Sequence, residues 1–288
     1  MPTIQLIVTG KTEDGALDRA LSAVFPATRG GEPVTWRTGV IVAEPANDRL
    51  KPVKRYPAGL MLNLAKKMAL TARGGPRPGD PPPDLVLAIG DVELHNLGQE
   101  TLLVAHMRAA LQQHLTSDPD AGALLKERCA YHLLRPMVEA SFFGDGATLG
   151  RAGVAEAHRQ PPLRARDVEE FESVDVNPDW RQLCAEGSQR NGPWWRHERH
   201  AAEYLIHLTG RPGATRYGKT NTGVAALSSL PWVDVIDTEP SPYLRALFDD
   251  LAAWFGAPSP LRPALTPAPL APTHPSFTAP ADRLLRNL

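Results

Sequence analysis

The chain has 288 residues, with 31 Lys+Arg against 32 Asp+Glu, 29 Pro, 23 Gly and two Cys. A formal charge of −1 excludes a uniformly basic duplex coat, whose affinity rests on Lys and Arg neutralising phosphates, but leaves room for a local basic groove. Cys129 and Cys184 are too few for a disulfide framework or a cysteine-built zinc site. No apolar run approaches the ~20 residues of a membrane span. The Met1–Gly10 start lacks the basic flank and apolar core of a signal peptide, so a cytoplasmic protein is expected.

In chain order, Thr3–Val8 (TIQLIV) is short, β-branched and bounded by Gly10, a first strand. Asp14–Phe25 puts Leu17, Leu21 and Val24 at helical spacing behind a capping Asp14. Thr35–Ala43 reads as a second strand, and Pro57–Arg73 as a helix with Leu60, Leu64 and Met68 on one face. Proline density makes Gly74–Pro83 a loop. Asp84–Ile89 (DLVLAI) is the apolar run of a strand covered on both faces. A helix over Glu100–Leu115, a strand over Arg128–Leu134 and a helix over Met137–Asp145 follow. This alternation predicts a doubly wound, mainly parallel α/β sheet whose ligand site lies at the carboxyl ends of its strands.

The second half reads differently. Arg164–Glu186 carries an acidic excess of about four and Gly187–Thr220 a basic excess of about four. Short helices are expected over His200–Thr209 and Thr222–Leu230, and a longer one over Ser241–Phe255 with Ser241 as cap and Pro242 in the first turn. Gly256–Pro280 holds eight prolines and no hydrophobic period. The expected organisation is an α/β core over 1–160, a helical extension over 161–255 that completes the domain, and a Pro-rich tail over 256–288, extended or disordered.

Chemistry concentrates where strands end. Strand one runs into Gly10-Lys11-Thr12-Glu13, and the Asp84–Ile89 strand into Gly90-Asp91-Val92-Glu93. Neighbouring parallel strands discharge onto one edge, so Glu13, Asp91 and Glu93 can meet. Such a set suits Mg²⁺ or Mn²⁺ and phosphoryl chemistry, with Lys11 as a phosphate contact. The same acids also read as helix caps that complement the helix dipole. Gly10-Lys11-Thr12 is not a phosphate loop, because G-x-x-x-x-G-K-[ST] is incomplete. Glu139, beside Phe142 and Phe143, needs a partner if buried, such as Arg135 or a metal, or else marks the polar face of an ordinary helix. Trp194, Trp195, Arg196 and Arg199 fit single-strand binding, by stacking and phosphate contact, or a loop anchored by one tryptophan with solvated cations around it. Lys219, in a Gly-flanked turn with Tyr217 and Arg216, is either a phosphate contact or an ordinary loop residue. His95 and His106 are placed for a metal near Asp91, although a lone histidine is more often surface or core. Both cysteines read as structural.

The order of these motifs resembles a Toprim-like bacterial protein family of unknown function, related to nucleases of the overcoming-lysogenization-defect type. Its members carry V-E-G-x-x-E, a D-x-D-like pair, an E-A-W-like helix ending in Asp, then H-x-x-x-Y-L and Y-x-K-T. Here the counterparts are Val8–Glu13 (VTGKTE), Gly90–Glu93 (GDVE), Val138–Asp145 (VEASFFGD), His200–Leu205 (HAAEYL) and Tyr217–Thr220 (YGKT). The resemblance implies a Toprim-like α/β core, Mg²⁺-dependent nucleic-acid chemistry, and a partner ATPase or a role in defence against foreign DNA. It places Glu13, Asp91 and Glu93 as metal ligands and catalytic acids, with Glu139 in support. It departs from the family pattern at Thr9, where the family has glutamate, and at Glu93, where it has aspartate. A threonine hydroxyl is no carboxylate base near neutral pH, so Glu13 must take over that role or the chemistry is lost. On the second alternative the chain is an inactive subunit that binds a partner.

Overall fold

The computed structural model describes residues 1–42, 59–75, 77–117, 119–160 and 163–267, with 269 and 271. From the amino terminus come β1 (Thr3–Val8), α1 (Lys11–Ser22), a small antiparallel pair β2 (Thr28–Arg29) and β3 (Glu32–Pro33), and β4 (Thr35–Arg37). Then follow α2 (Leu60–Gly74), β5 (Leu85–Asp91), α3 (Glu100–Ser117), α4 (Pro119–Arg128) and β6 (Cys129–Leu134). The second half adds α5 (Gly146–Arg151), α6 (Pro178–Gly187), α7 (Ala201–Thr209), α8 (Thr222–Ser228), α9 (Trp232–Ile236) and α10 (Pro242–Phe255). The protein is α/β, with a four-stranded, all-parallel sheet in the order β4-β1-β5-β6.

The apolar runs of the strands divide between two cores because successive side chains point to opposite faces. Ile4, Leu6 and Val8 of β1, with Leu85, Leu87 and Ile89 of β5, join one core that also takes Leu17 of α1, Tyr204 of α7, Leu227 of α8 and Phe248 of α10. Ile7 of β1 and Val86 and Ala88 of β5 join the other, with Leu64 and Met68 of α2 and Val104 and Met107 of α3. Each fully buried Leu, Ile or Phe contributes about 1.5–3 kcal/mol, so losing either helical layer would expose a whole sheet face. Residues on both sides of position 160 share the first core. α1 lies close on α8: a Cβ at Gly15 would meet Val224 Cγ2 at 2.6 Å.

Strand order sets the position of the site. From β1 the chain passes through α1 to β4 on one side, then returns through α2 to β5 on the other side of β1. From β5 it continues outward to β6. Connections therefore leave β1 and β5 in opposite directions, which makes their carboxyl ends the switch point at which open α/β sheets bind ligands.

Several local expectations change. Helix α1 starts at Lys11 with Gly10 at its N-cap, and Asp14 instead accepts the Gly39 N–H on Oδ1 at 2.8 Å. The second strand is cut to Thr35–Arg37, with an isolated bridge from Val8 to Ile41; Ala43 and Pro57 lie outside the described residues. Val138–Gly144 forms a 3-10 turn rather than an α-helix. Asp145 then caps α5, accepting the Thr148 N–H at 2.7 Å. Ser241 does not cap α10: its hydroxyl donates to Asp167 Oδ1 at 2.7 Å. Glu169 does that work from another segment, accepting the Leu244 N–H at 2.6 Å and the Tyr243 N–H at 3.2 Å. In the tail, residues 256–267 form no helix or strand, and the Leu265 N–H donates to Thr238 O at 2.9 Å; residues 272–288 lie outside the described residues. Among the described residues, no helix is long and apolar enough to cross a membrane.

Candidate functional site

The carboxyl ends of β1 and β5 gather four carboxylates from three segments. Glu13 sits in the first turn of α1 and is 3% exposed. Its carboxylate folds back over Gly10, filling the space a Cβ there would need, so a side chain at residue 10 would displace it. Asp91 ends β5 and accepts the Val138 N–H on Oδ1 at 3.0 Å, which joins the strand end to the 3-10 turn. Glu93 follows at φ 65° and ψ 156°, a region that costs a non-glycine residue about 1–3 kcal/mol and tends to mark functional sites. Its N–H donates to Pro136 O at 2.8 Å. Glu139, carried by the same turn, is 1% exposed.

The loop after α7 supplies the counter-charge. Tyr217 O–H donates to Glu139 Oε1 at 2.9 Å, and Lys219 Nζ stands 3.6 Å from that oxygen. Thr12 of α1, fully buried, donates its hydroxyl to Lys219 O at 3.2 Å. Thr209 of α7 accepts the Tyr217 N–H at 3.1 Å. The loop is thus pinned to both α1 and α7, and its lysine faces Glu139, Asp91, Glu13 and Glu93.

Four acids facing one ammonium leave an excess of negative charge, and the protonation equilibria record it. Burial, then the Glu139 charge, pushes Glu13 from 4.5 up to about 7, with Lys219 opposing. Burial and the charges of Glu13, Glu93 and Glu139 hold Asp91 well above the usual carboxylate range. The Lys219 ammonium is stabilised above its ordinary range, first by Glu139. Burial and then Glu139 raise the Tyr217 phenol, which stays a donor. His200, at the N-cap of α7, accepts the Glu203 N–H on Nδ1 at 3.2 Å. Burial pushes it down to about 4 against the attraction of Glu139, so it is neutral at pH 7.

Of the residues singled out in the sequence, Glu13, Asp91, Glu93, Glu139 and Lys219 come together here. Lys11 is exposed at the start of α1. The aromatic and basic segment lies against other parts of the chain. Trp194 packs edge-on against His95, with centroids 5.2 Å apart, and Trp195 stays 37% exposed. Arg196 pairs with Glu186 at 2.9 Å, and Arg199 with Glu170 at 3.2 Å and Glu172 at 3.9 Å. Both guanidiniums are therefore engaged by the acidic segment rather than presented as an open cationic strip. Arg135, the partner foreseen for Glu139, binds Glu100 at 2.8 Å and Glu170 instead. His106 is buried within α3, and both cysteines are buried and free.

Sequence reading did not assign Thr12, His200 or Tyr217 to the site, although His200 and Tyr217 open two of the motifs that carry the family resemblance. The usable signal was the repeated Gly-Lys-Thr at Gly10–Thr12 and Gly218–Thr220, which the fold ties together by the Thr12–Lys219 hydrogen bond. Among the described residues, no group of three or more His, Cys, Asp or Glu side chains is disposed to hold a metal ion. Comparison with family models, with curated proteins and with solved structures gives no match.

Proposed function

We propose that the chain is a Toprim-like, Mg²⁺- or Mn²⁺-dependent phosphodiester-processing protein acting on nucleic acid. The observation that carries this reading is the charge excess at the switch point: Glu13, Asp91, Glu93 and Glu139 face a single ammonium, that of Lys219. The donor set suits a hard divalent cation, which takes one or two carboxylates and keeps several waters, so three converging protein ligands are not required. Asp91 and Glu93, both partly exposed at the end of β5, are the residues that would hold it. Bound there, the cation supplies charge stabilisation at a phosphate and a bound water of lowered pKa.

The protein's own groups then divide the remaining work. Glu13, with its carboxyl near pH 7, can hold or release a proton at neutral pH, which is the property needed of a general acid or base. It thereby replaces the carboxylate absent at Thr9. Tyr217 fixes the Glu139 carboxylate, and Lys219 presents its ammonium to an incoming phosphate oxygen.

Purified full-length protein, incubated with Mg²⁺ or Mn²⁺ and single- or double-stranded DNA or RNA, is expected to cleave at least one substrate. Asp91→Asn should abolish the cleavage. Absence of cleavage together with absence of binding heat for either cation removes this reading.

A second reading is favoured by a separate observation. Glu13 and Glu139 are 3% and 1% exposed, and Glu139 already has Tyr217 and Lys219 as partners. That arrangement suits a non-catalytic subunit whose inherited site became a structural network and which docks a partner such as an ATPase. On this reading Mg²⁺ leaves the melting temperature unchanged.

A further inference from the structure

A cavity of about 420 Å³ opens between the β4 edge of the sheet with the segment that follows it, α2 and the loop over 77–80. It shares no residue with the acidic cluster. Its wall includes Arg37 from β4, Lys67 from α2, and Arg77 with Asp80 from the loop, three cations against one acid. Arg37 is half-buried and Arg77 exposed, and neither makes an ion pair among the described residues. The volume falls within the ~300–1,000 Å³ of small-molecule sites.

Gln5 of β1 lines the same cavity and is fully buried. Its amide nitrogen faces three carbonyls, Leu6 O at 3.0 Å, Arg37 O at 3.2 Å and Thr38 O at 3.4 Å. Those acceptors fix which way the amide lies, because a flipped amide would set oxygen against oxygen. The carbonyl oxygen Oε1 consequently has no hydrogen-bond donor. An unsatisfied buried acceptor costs about 1–3 kcal/mol, and such groups call for an explanation.

We propose that this cavity binds a small phosphate monoester carrying a hydroxyl or amino donor, of mononucleotide or sugar-phosphate size. Arg37 and Arg77 would take the phosphate, since guanidinium groups match phosphate oxygens in pairs and two of them suit a dianion better than a carboxylate. The hydroxyl or amino group would donate to Gln5 Oε1. Anion and donor are thereby read by different walls of one cavity.

Calorimetric titration of the full chain with AMP, ribose 5-phosphate, adenosine, ribonate and inorganic phosphate separates the possibilities. The two phosphate monoesters are expected to bind, inorganic phosphate roughly tenfold more weakly, and adenosine not at all. The Arg37→Ala/Arg77→Ala variant should weaken monoester binding by about tenfold or more. Arg151→Ala/Arg190→Ala, which removes two exposed cations elsewhere, should not. If the double variant proves unfolded by circular dichroism, Arg77→Ala alone, in an exposed loop, carries the test. The proposal is overturned if neither monoester binds, if ribonate binds as well as ribose 5-phosphate, if inorganic phosphate matches both esters, or if the arginine variants bind as the parent does. Because the acidic cluster is not touched, loss of the nuclease reading leaves these outcomes unaffected.

Discussion

Two acid-rich regions of this molecule meet opposite electrostatic fates. The segment over 164–186 faces the basic segment over 187–220, and several of their opposite charges pair. Asp175 binds Arg211 at 2.7 Å, Glu186 binds Arg196 at 2.9 Å, and Glu170 and Glu172 share Arg199. Asp175 shows the consequence. Burial pushes its carboxyl up, but the Asn177 N–H, the Tyr204 O–H and Arg211 outweigh that and hold it below the usual range. At the carboxyl edge the balance is reversed: four carboxylates face one lysine, and Glu13 and Asp91 are driven upward. A charge that is paired and hydrogen-bonded belongs to the scaffold. One left crowded against like charges is held in place by the rest of the fold and remains available for chemistry.

This contrast can be broken at several points. The largest effect belongs to the neutralised belt. Asp175→Ala would strand the half-buried Arg211 and deprive the Tyr204 hydroxyl of its acceptor, and urea unfolding should show a loss of about 3–5 kcal/mol. A loss within experimental error would mean that the pair does not hold the belt together.

At the acidic edge the sign is expected to invert. Glu13 has a folded-state pKa of about 7, raised from 4.5, so the folded chain binds a proton that the unfolded chain releases over that window. Stability from this group is complete below pH 4.5 and falls as pH rises through 7. Glu13→Gln carries no such charge. It should be more stable than the parent at pH 8, by up to about 3 kcal/mol, with the difference vanishing near pH 4.5. Thermal melts at the two pH values test this; an equal shift at both would count against crowding of the Glu13 charge.

Smaller effects refine the picture. Tyr217→Phe removes the donor to Glu139 and should cost about 1–2 kcal/mol in chemical unfolding. A larger loss would place Glu139 within the structural network of the second functional reading. Smallest of all, Arg196→Ala breaks an exposed pair and should change stability by no more than about 0.5 kcal/mol. If it also leaves single-strand affinity unaltered in fluorescence anisotropy, the Trp194–Arg199 segment is scaffold; a clear loss would return it to the binding surface.

How far the sequence could be read follows from the range of each interaction. The short β-branched run TIQLIV and the continuous apolar run DLVLAI, together with the helical spacing of Leu17, Leu21, Leu64 and Met68, suffice to read β1, β5, α1 and α2. These are local patterns imposed by burial. Ser241 was misread because it has the composition of a cap, whereas its φ of 27° and its bond to Asp167 leave Glu169, over seventy residues upstream, to meet the α10 amides. The helix expected over Met137–Asp145 is instead a 3-10 turn, and its first amide, that of Val138, is held by Asp91 from 47 residues upstream. Arg196 and Arg199 looked like free cations because nothing in PWWRHERH reveals that acids ten to thirty residues away lie opposite them.

By itself, the sequence determined the alternation of strand and helix, the placing of Glu13, Asp91 and Glu93 after strands, and the segregation of acidic from basic charge in the second half. Each of these depends on neighbours within a few residues. Only the tertiary structure decided which charges cancel and which remain. The β4-β1-β5-β6 order brings the ends of β1 and β5 together, the Tyr217–Lys219 loop crosses to Glu139, and β4 meets α2 over the buried Gln5 oxygen. Coulombic and hydrogen-bonding energies depend on distance through space and on the loss of water around each group, and the linear chain encodes neither until it has folded.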